Sequence, residues 1–121
     1  HKVSWRPGPT PFRLCVSAIL PGGGAAGSRH AAKGVWPAHW LMPDSEACDP
    51  DQGEMDLMEM IDGDGTHHAT YHWQTTYPRS NCSYPTGHEA ASAALQLPTD
   101  WGAAYHEYAV ERGPTHVAFA V

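Results

Sequence analysis

The segment GEMDLMEM at residues 53–60 decides how this chain folds. Its acidic side chains Glu54, Asp56 and Glu59 are interleaved with methionine and leucine. This mixture is typical of a strand with one polar and one apolar face. The alternative is a solvated acidic surface, because nine carboxylates and no basic residue occur from residue 44 to residue 64. Like charges on one face of a strand raise the pKa of at least one carboxyl group, so such a cluster needs a compensating role.

Glu59 does not fit a regular strand. Glu54 and Asp56 share a face because side chains alternate with a period of two, whereas an offset of five places Glu59 on the opposite face. A β-bulge across Leu57 and Met58 would return Glu59 to the first face. A helix would scatter the three acids, at about 200° and 500° around its axis. The sequence therefore predicts a bulged strand that presents one cluster of three acids.

Such a cluster suits the hydrolysis of glycosidic bonds. One carboxylate attacks the anomeric carbon, and one protonated acid delivers a proton to the leaving oxygen. Retention of configuration requires the two carboxyl groups to lie about 5–5.5 Å apart. The two long glutamate side chains must then lean inward over Asp56.

The rest of the chain predicts short strands joined by turns rich in glycine and proline. Besides residues 54–61, we expect strands at residues 12–20, 34–42, 66–75, 105–111 and 116–121. The turn Asp62-Gly63-Asp64-Gly65 makes 54–61 and 66–75 a hairpin. We interpret residues 22–33 as a long loop and residues 77–100 as mostly loop, with 90–97 left unassigned. Short strands joined in this way favour an all-β antiparallel sandwich or barrel.

Size and composition limit the classes of protein that fit. The chain has 121 residues and a mass of 13.1 kDa, which is enough for a single domain over residues 1–121. A net charge of −6, with Lys2 and Lys33 as the lysines, disfavours a nucleic-acid partner. No apolar run approaches the ~20 residues of a membrane span. The start at His1 without an apolar leader indicates a mature, trimmed or partial chain.

The three cysteines favour an extracellular protein. Cys48 and Cys82 lie in polar, turn-like segments, and we predict that they form a disulfide. Closing this loop of about 35 residues would stabilise the fold by roughly 3–4 kcal/mol. Cys15 lies in the apolar stretch RLCVSAIL, so we expect a buried thiol. Asn81 opens the glycosylation sequon Asn-Cys-Ser, and together these features indicate secretion.

Two blocks give the sequence a family resemblance. WPAHWLMP at residues 36–43, followed by GEMDLME at 53–59, resembles the laminarinase-like branch of glycoside hydrolase family 16. The extra residue in the acidic block is similar to the β-1,3-glucanase form of the motif. The licheninase-like branch usually has the unbulged spacing. The resemblance implies a jelly-roll β-sandwich, like concanavalin A, and a retaining endo-β-1,3-glucanase whose partner is β-glucan and which needs no cofactor.

The resemblance also implies roles for individual residues. Glu54 would be the nucleophile and Glu59 the general acid and base, with Asp56 between them and His72 approaching from the neighbouring strand. Sugar rings stack on aromatic side chains, and the aromatic candidates for substrate binding are Trp36, Trp40 and Trp73. Trp36 and Trp40 share one face, which is either groove or core. Trp73 opposes His72, so it belongs to the core if His72 faces the groove.

The chain departs from the family pattern in its length. Family domains are roughly twice as long, so the sandwich looks incomplete at its C-terminal side. Glu-Arg-Gly at residues 111–113 also replaces the family's usual Glu-Trp followed by a small polar residue. Three explanations fit an incomplete sandwich. Residues are absent from this sequence, the chain self-associates to complete its core, or it is an inactive fragment. A lectin-like β-glucan-binding protein and a transglycosylase are the alternative functions.

Histidine is abundant, but its spacing does not favour a metal site. His68 and His72 are four residues apart on the predicted strand, which separates their Cα atoms by about 13 Å. The Asp62-Gly63-Asp64-Gly65 segment is similar to the start of a calcium-binding loop, but the later ligands do not follow in register. We therefore expect no metal.

Overall fold

A computed structural model describes residues 8, 10–21, 33–43, 53–75, 85–96 and 101–121 of the chain. In these ranges the backbone forms seven strands and one short 3₁₀ turn, Ile61–Gly63, with no α-helix. The strands are β1 (Phe12–Ala18), β2 (Ala38–Leu41), β3 (Glu54–Glu59), β4 (His67–Gln74), β5 (His88–Leu95), β6 (His106–Arg112) and β7 (Val117–Ala120). A membrane-spanning helix is not found within the described ranges.

Two antiparallel sheets pack against each other. One sheet has the order β1-β6-β7 and the other the order β2-β3-β4-β5. Apolar side chains of both sheets meet in a common core, which confirms the predicted all-β sandwich. The fully buried members are Leu57, Met58, Met60, Trp101, Tyr108 and Val110. Trp101 also donates its indole N–H to the carbonyl of Gly65, 3.0 Å away, which joins the β3–β4 hairpin to this core.

The predicted hairpin is present, and its turn is held by the two aspartates. Asp62 has a φ of 54°, a left-handed conformation that aspartate tolerates better than most residues. Its carboxylate accepts a hydrogen bond from the backbone N–H of Gly34, while Asp64 accepts one from Thr66. Asp64 therefore stabilises the turn itself, and Asp62 joins it to the segment before β2. The sequence predicted the turn but not these bonds.

Strand β5 is the main correction to the sequence analysis. We expected mostly loop over residues 77–100, but His88–Leu95 pairs with β4 along its whole length. Alanine is depleted in strands, and after His88 every residue of β5 is exposed, so neither composition nor alternation marks the strand. Backbone pairing with β4 creates it, and a single sequence does not reveal that pairing.

Cys15 is exposed, so the prediction of a buried thiol is wrong. In β1 the alternate residues Phe12, Leu14, Val16 and Ala18 pack against the core. Cys15 has the opposite phase and lies on the outer face, where the Arg13 side chain donates a hydrogen bond to its sulfur. The error arose from the apolar composition of the segment, since position along a strand decides the face.

Two histidines pack against Tyr108, of which His67 is buried and His39 is half-buried. The ring centroids of His39 and His67 lie 5.5 Å and 5.6 Å from that of Tyr108. His67 donates its Nε2–H to the carbonyl of Leu57, 2.9 Å away. Burial lowers the pKa of both histidines below 6.5 and raises the pKa of Tyr108 to about 12. The interior of the sandwich therefore disfavours the charged form of each group.

This core makes stability sensitive to acid. The folded-state pKa of His67 lies below its unfolded value of about 6.5, so the unfolded chain binds more protons between the two values. The contribution of neutral His67 is complete above pH ~6.5 and decreases as the pH falls through that interval. We expect His67→Gln, which keeps a donor for Leu57 but does not titrate, to make the decline of the melting temperature with acid shallower. Exposed His116→Gln is the control, and an equally steep decline in both variants would contradict this assignment.

Candidate active site

The bulge brings the three acidic residues to one face of β3. Glu54 lies opposite His72, Asp56 opposite Thr70 and Glu59 opposite His68. Three steps along β3, from 56 to 59, thus match two steps along β4, from 70 to 68. Paired residues share a face, and the three β4 partners alternate on one face. The predicted bulge across Leu57 and Met58 is therefore confirmed, and Glu54, Asp56 and Glu59 lie side by side.

The bulge adds one residue to β3, so that two consecutive side chains point into the core. Leu57 and Met58 are consecutive, yet both are almost completely buried against the other sheet. In a regular strand one of them would point to the acidic face. As a result, β3 has an apolar face that packs in the core and an acidic face on the opposite side of the sheet.

A groove of about 240 Å³ runs over this acidic face. The groove is lined by the three carboxylates of β3 and by residues of β2 and the segment just before it. The lining residues are Trp36, Ala38, Trp40, Glu54, Asp56 and Glu59. Trp36 and Trp40 both line the groove, and they are 60% and 51% exposed. Their shared face is therefore the groove side and not the core. Trp36 also donates its indole N–H to Glu59 Oε1 at 3.1 Å.

Asp56 is the most buried of the three acids. Its side chain is only 4% exposed, and its Oδ2 lies 3.0 Å from Nε2 of His72. A buried carboxylate is costly unless donors surround it, so the His72 contact stabilises Asp56 in place. His72 thus reaches the acidic cluster from β4, as the sequence analysis anticipated.

Sequence reasoning missed His88. Its Nε2 lies 2.9 Å from Nδ1 of His72, and the two rings stack with centroids 5.1 Å apart and planes inclined by 19°. His88 is the first residue of β5. Because the sequence analysis did not predict this strand, it could not predict the β4–β5 register that brings His88 next to His72. The abundance of histidine was the sole signal in the sequence, and it did not indicate which histidines meet.

Trp73 does not join the groove. It lies on the opposite face of β4 and stacks on Tyr71, with ring centroids 5.5 Å apart. Both rings line a larger cavity of about 790 Å³ between the two sheets. No carboxylate lines that cavity, whereas three carboxylates line the smaller groove. This placement agrees with the expectation that Trp73 opposes His72. Trp73 lies outside the acidic groove, and its part in substrate binding stays a prediction.

One group of side chains in the described ranges could hold a cation. Glu54, Asp56 and His72 each place one ligand atom within 4.8 Å of the others. The His72–Asp56 contact of 3.0 Å is already a hydrogen bond, which explains the proximity without an ion.

The predicted disulfide and glycosylation site lie outside the described residues, which do not include Cys48, Cys82 and Asn81. Both therefore remain predictions.

Comparison with known proteins gives one family and one fold. The model of glycosyl hydrolases family 16 matches residues 25–121. The laminarinase catalytic domain from Thermotoga maritima MSB8 is 25% identical, with a TM-score of 0.64 over 89% of this chain and 38% of that chain. The endo-1,3-beta-glucanase from Streptomyces sioyaensis is 24% identical, with a TM-score of 0.61 over 91% and 40% of the two chains.

A third structure extends the comparison to a complex. The family 16 protein of a Bacteroides ovatus mixed-linkage glucan locus, bound to a G4G4G3G product, is 22% identical with a TM-score of 0.66, over 93% and 46% of the two chains. These likenesses confirm the jelly-roll sandwich. The chain spans less than half the length of each of the three. A search of curated proteins gave no match.

Proposed function

The chain belongs to glycoside hydrolase family 16, and on that basis we propose that it hydrolyses β-1,3-glucan of the laminarin type as a retaining endo-glycosidase. The observation that carries this proposal is the bulge of β3, which places Glu54, Asp56 and Glu59 on one face of a groove with two exposed tryptophans. The names of the T. maritima and S. sioyaensis proteins support the β-1,3 linkage.

The proposed reaction has two steps. The carboxylate of Glu54 attacks the anomeric carbon while the carboxyl group of Glu59 protonates the departing glycosidic oxygen, which leaves a covalent glycosyl-enzyme. Glu59, now ionised, takes a proton from water, and the resulting hydroxide attacks the same carbon and releases Glu54. Two inversions give net retention. Asp56, held by His72, orients the nucleophile from between the two glutamates.

Trp40 is the proposed platform for a glucose ring. Its side chain is half exposed in the groove, beside the carboxylates. We expect Trp40→Ala to raise KM for laminarin about tenfold, equivalent to ~1.4 kcal/mol, with a smaller change in kcat. Tyr105→Ala removes an exposed ring that does not line the groove, and it should leave KM unchanged. An unchanged KM for the Trp40 variant would contradict stacking at this position.

The decisive experiment measures the release of reducing ends from laminarin, with lichenan in parallel. Faster cleavage of laminarin supports a β-1,3-glucanase, whereas cleavage of lichenan alone would overturn the linkage. Proton NMR of the first product then distinguishes retention from inversion. Binding of laminarin without cleavage would favour a lectin-like protein, and sugar transfer to added oligosaccharide would favour a transglycosylase.

Secretion is part of the same proposal, because an enzyme that acts on polysaccharide meets its substrate outside the cell. A Cys48–Cys82 disulfide and a glycan on Asn81 would accompany export. Mass spectrometry of the non-reduced protein tests the disulfide, and sedimentation tests the self-association that could complete the core.

A further inference from the structure

Three side chains form a continuous path from the edge of β5 to the acidic cluster. His88 Nε2 lies 2.9 Å from Nδ1 of His72, and His72 Nε2 lies 3.0 Å from Oδ2 of Asp56. The exposed fraction falls along this path from 23% for the His72 side chain to 4% for that of Asp56. Both nitrogens of the His72 ring are therefore engaged, one toward the carboxylate and one toward His88.

The positions of the protons follow from the groups involved. An ionised carboxylate can only accept, so Nε2 of His72 carries the proton that lies between the ring and Asp56. In the neutral ring Nδ1 is then the acceptor, and His88 must donate from its Nε2. The hydrogen bond at one ring nitrogen decides which nitrogen carries the proton, and here it favours the tautomer of His72 that donates to Asp56.

We propose that His88 is a positioning residue for the reaction proposed above, because it holds His72 in the tautomer and orientation that donate to Asp56. Without His88, the ring of His72 can rotate or exchange its proton between nitrogens, and Asp56 loses the hydrogen bond from His72 while it stays buried. Loss of one hydrogen bond makes the ionised form of a buried carboxylate less stable, which favours its movement or its protonation. In either case Asp56 no longer orients Glu54, which would slow formation of the covalent intermediate.

Two variants separate the hydrogen bond from the ring stacking. His88→Phe keeps a ring to stack on His72 but has no polar atom. His88→Gln loses the ring but can place an amide near the position of Nε2. We expect His88→Phe to lower kcat on laminarin about tenfold with little change in KM, and His88→Gln to keep most of kcat. The reverse order, with Phe active and Gln impaired, would assign His88 a packing role and overturn the proposal.

An NMR measurement tests the same proposal without relying on activity. Nitrogen-15 resonances of histidine rings distinguish an N–H from a bare nitrogen, so spectra of the 121-residue chain at pH 8 report the tautomer of His72. We expect a single tautomer with the proton on Nε2 in the wild type and in His88→Gln, and a mixture in His88→Phe. A proton on Nδ1 in the wild type, or unchanged signals in His88→Phe, would overturn the proposal even where the Phe variant folds poorly.

The two arms distinguish this proposal from the function on which it rests. A wild-type chain that cleaves no glucan counts against the proposed function, while the NMR arm still decides the role of His88. His116→Phe changes an exposed histidine between β6 and β7, outside the acidic groove, and serves as the control in both arms. It should leave kcat and the His72 signals as in the wild type.

Discussion

Glu54→Gln is expected to lower kcat on laminarin by at least about a thousandfold while the dissociation constant for the same glucan changes less than about twofold. The amide has nearly the shape of the carboxylate, so the groove keeps its form. It is a poor nucleophile, so the covalent intermediate does not form. Kinetics with reducing-end detection, together with calorimetric binding of laminarin oligosaccharides, measure both quantities on one preparation.

The control for this variant is Glu107→Gln. Glu107 lies exposed on β6, in the other sheet, and the same chemical change there should leave kcat unaltered. A Glu54→Gln protein that keeps a substantial fraction of wild-type kcat would show that another group attacks the sugar. Loss of binding along with activity would instead indicate that Glu54 holds the groove together.

Glu59→Ala should slow laminarin cleavage roughly a thousandfold, the scale of general acid–base catalysis. Its first step should remain fast for a dinitrophenyl glycoside, because that leaving group departs without a proton. Its second step should be slow, because no base activates the water. We therefore expect a rapid burst of dinitrophenol followed by slow turnover, and added azide should restore the rate because it attacks without a base.

The Glu54 variant is the matched comparison, since it should give no burst with the same substrate. A Glu59→Ala protein equally slow on laminarin and on the dinitrophenyl glycoside would remove Glu59 from the role of acid. The two results together assign the two glutamates separately, although both line one groove.

The acidic strand was predictable because its chemistry leaves few arrangements. Three carboxylates among apolar residues had to share one face, and an odd offset allowed this only with a bulge. The sequence did not predict whether Trp36 and Trp40 lie in the groove or in the core. Their spacing indicates that they share a face, but not which side of the sheet that face is on. The side of the sheet became known only when Trp40 was found opposite Asp56.

His88 and Cys15 were missed for two different reasons. β5 is an alanine-rich strand that exists through its pairing with β4, so its ends and its register depend on residues distant in the chain. Cys15 lies in a segment that is apolar overall, but its face depends on phase rather than composition. The β5 case requires knowledge of which residue pairs with which, whereas the face of Cys15 follows from its alternation with Leu14 and Val16 along β1.

The bulge of β3 also lets the number of side chains on one face of the strand change without a change on the other face. A five-residue spacing with a bulge and a four-residue spacing without one both return the second glutamate to the same side. The longer form differs below the sheet, where it adds one more apolar side chain, so that Leu57 and Met58 both fill the interior. A single inserted residue can therefore enlarge the core while the spacing that the chemistry requires is preserved on the other side.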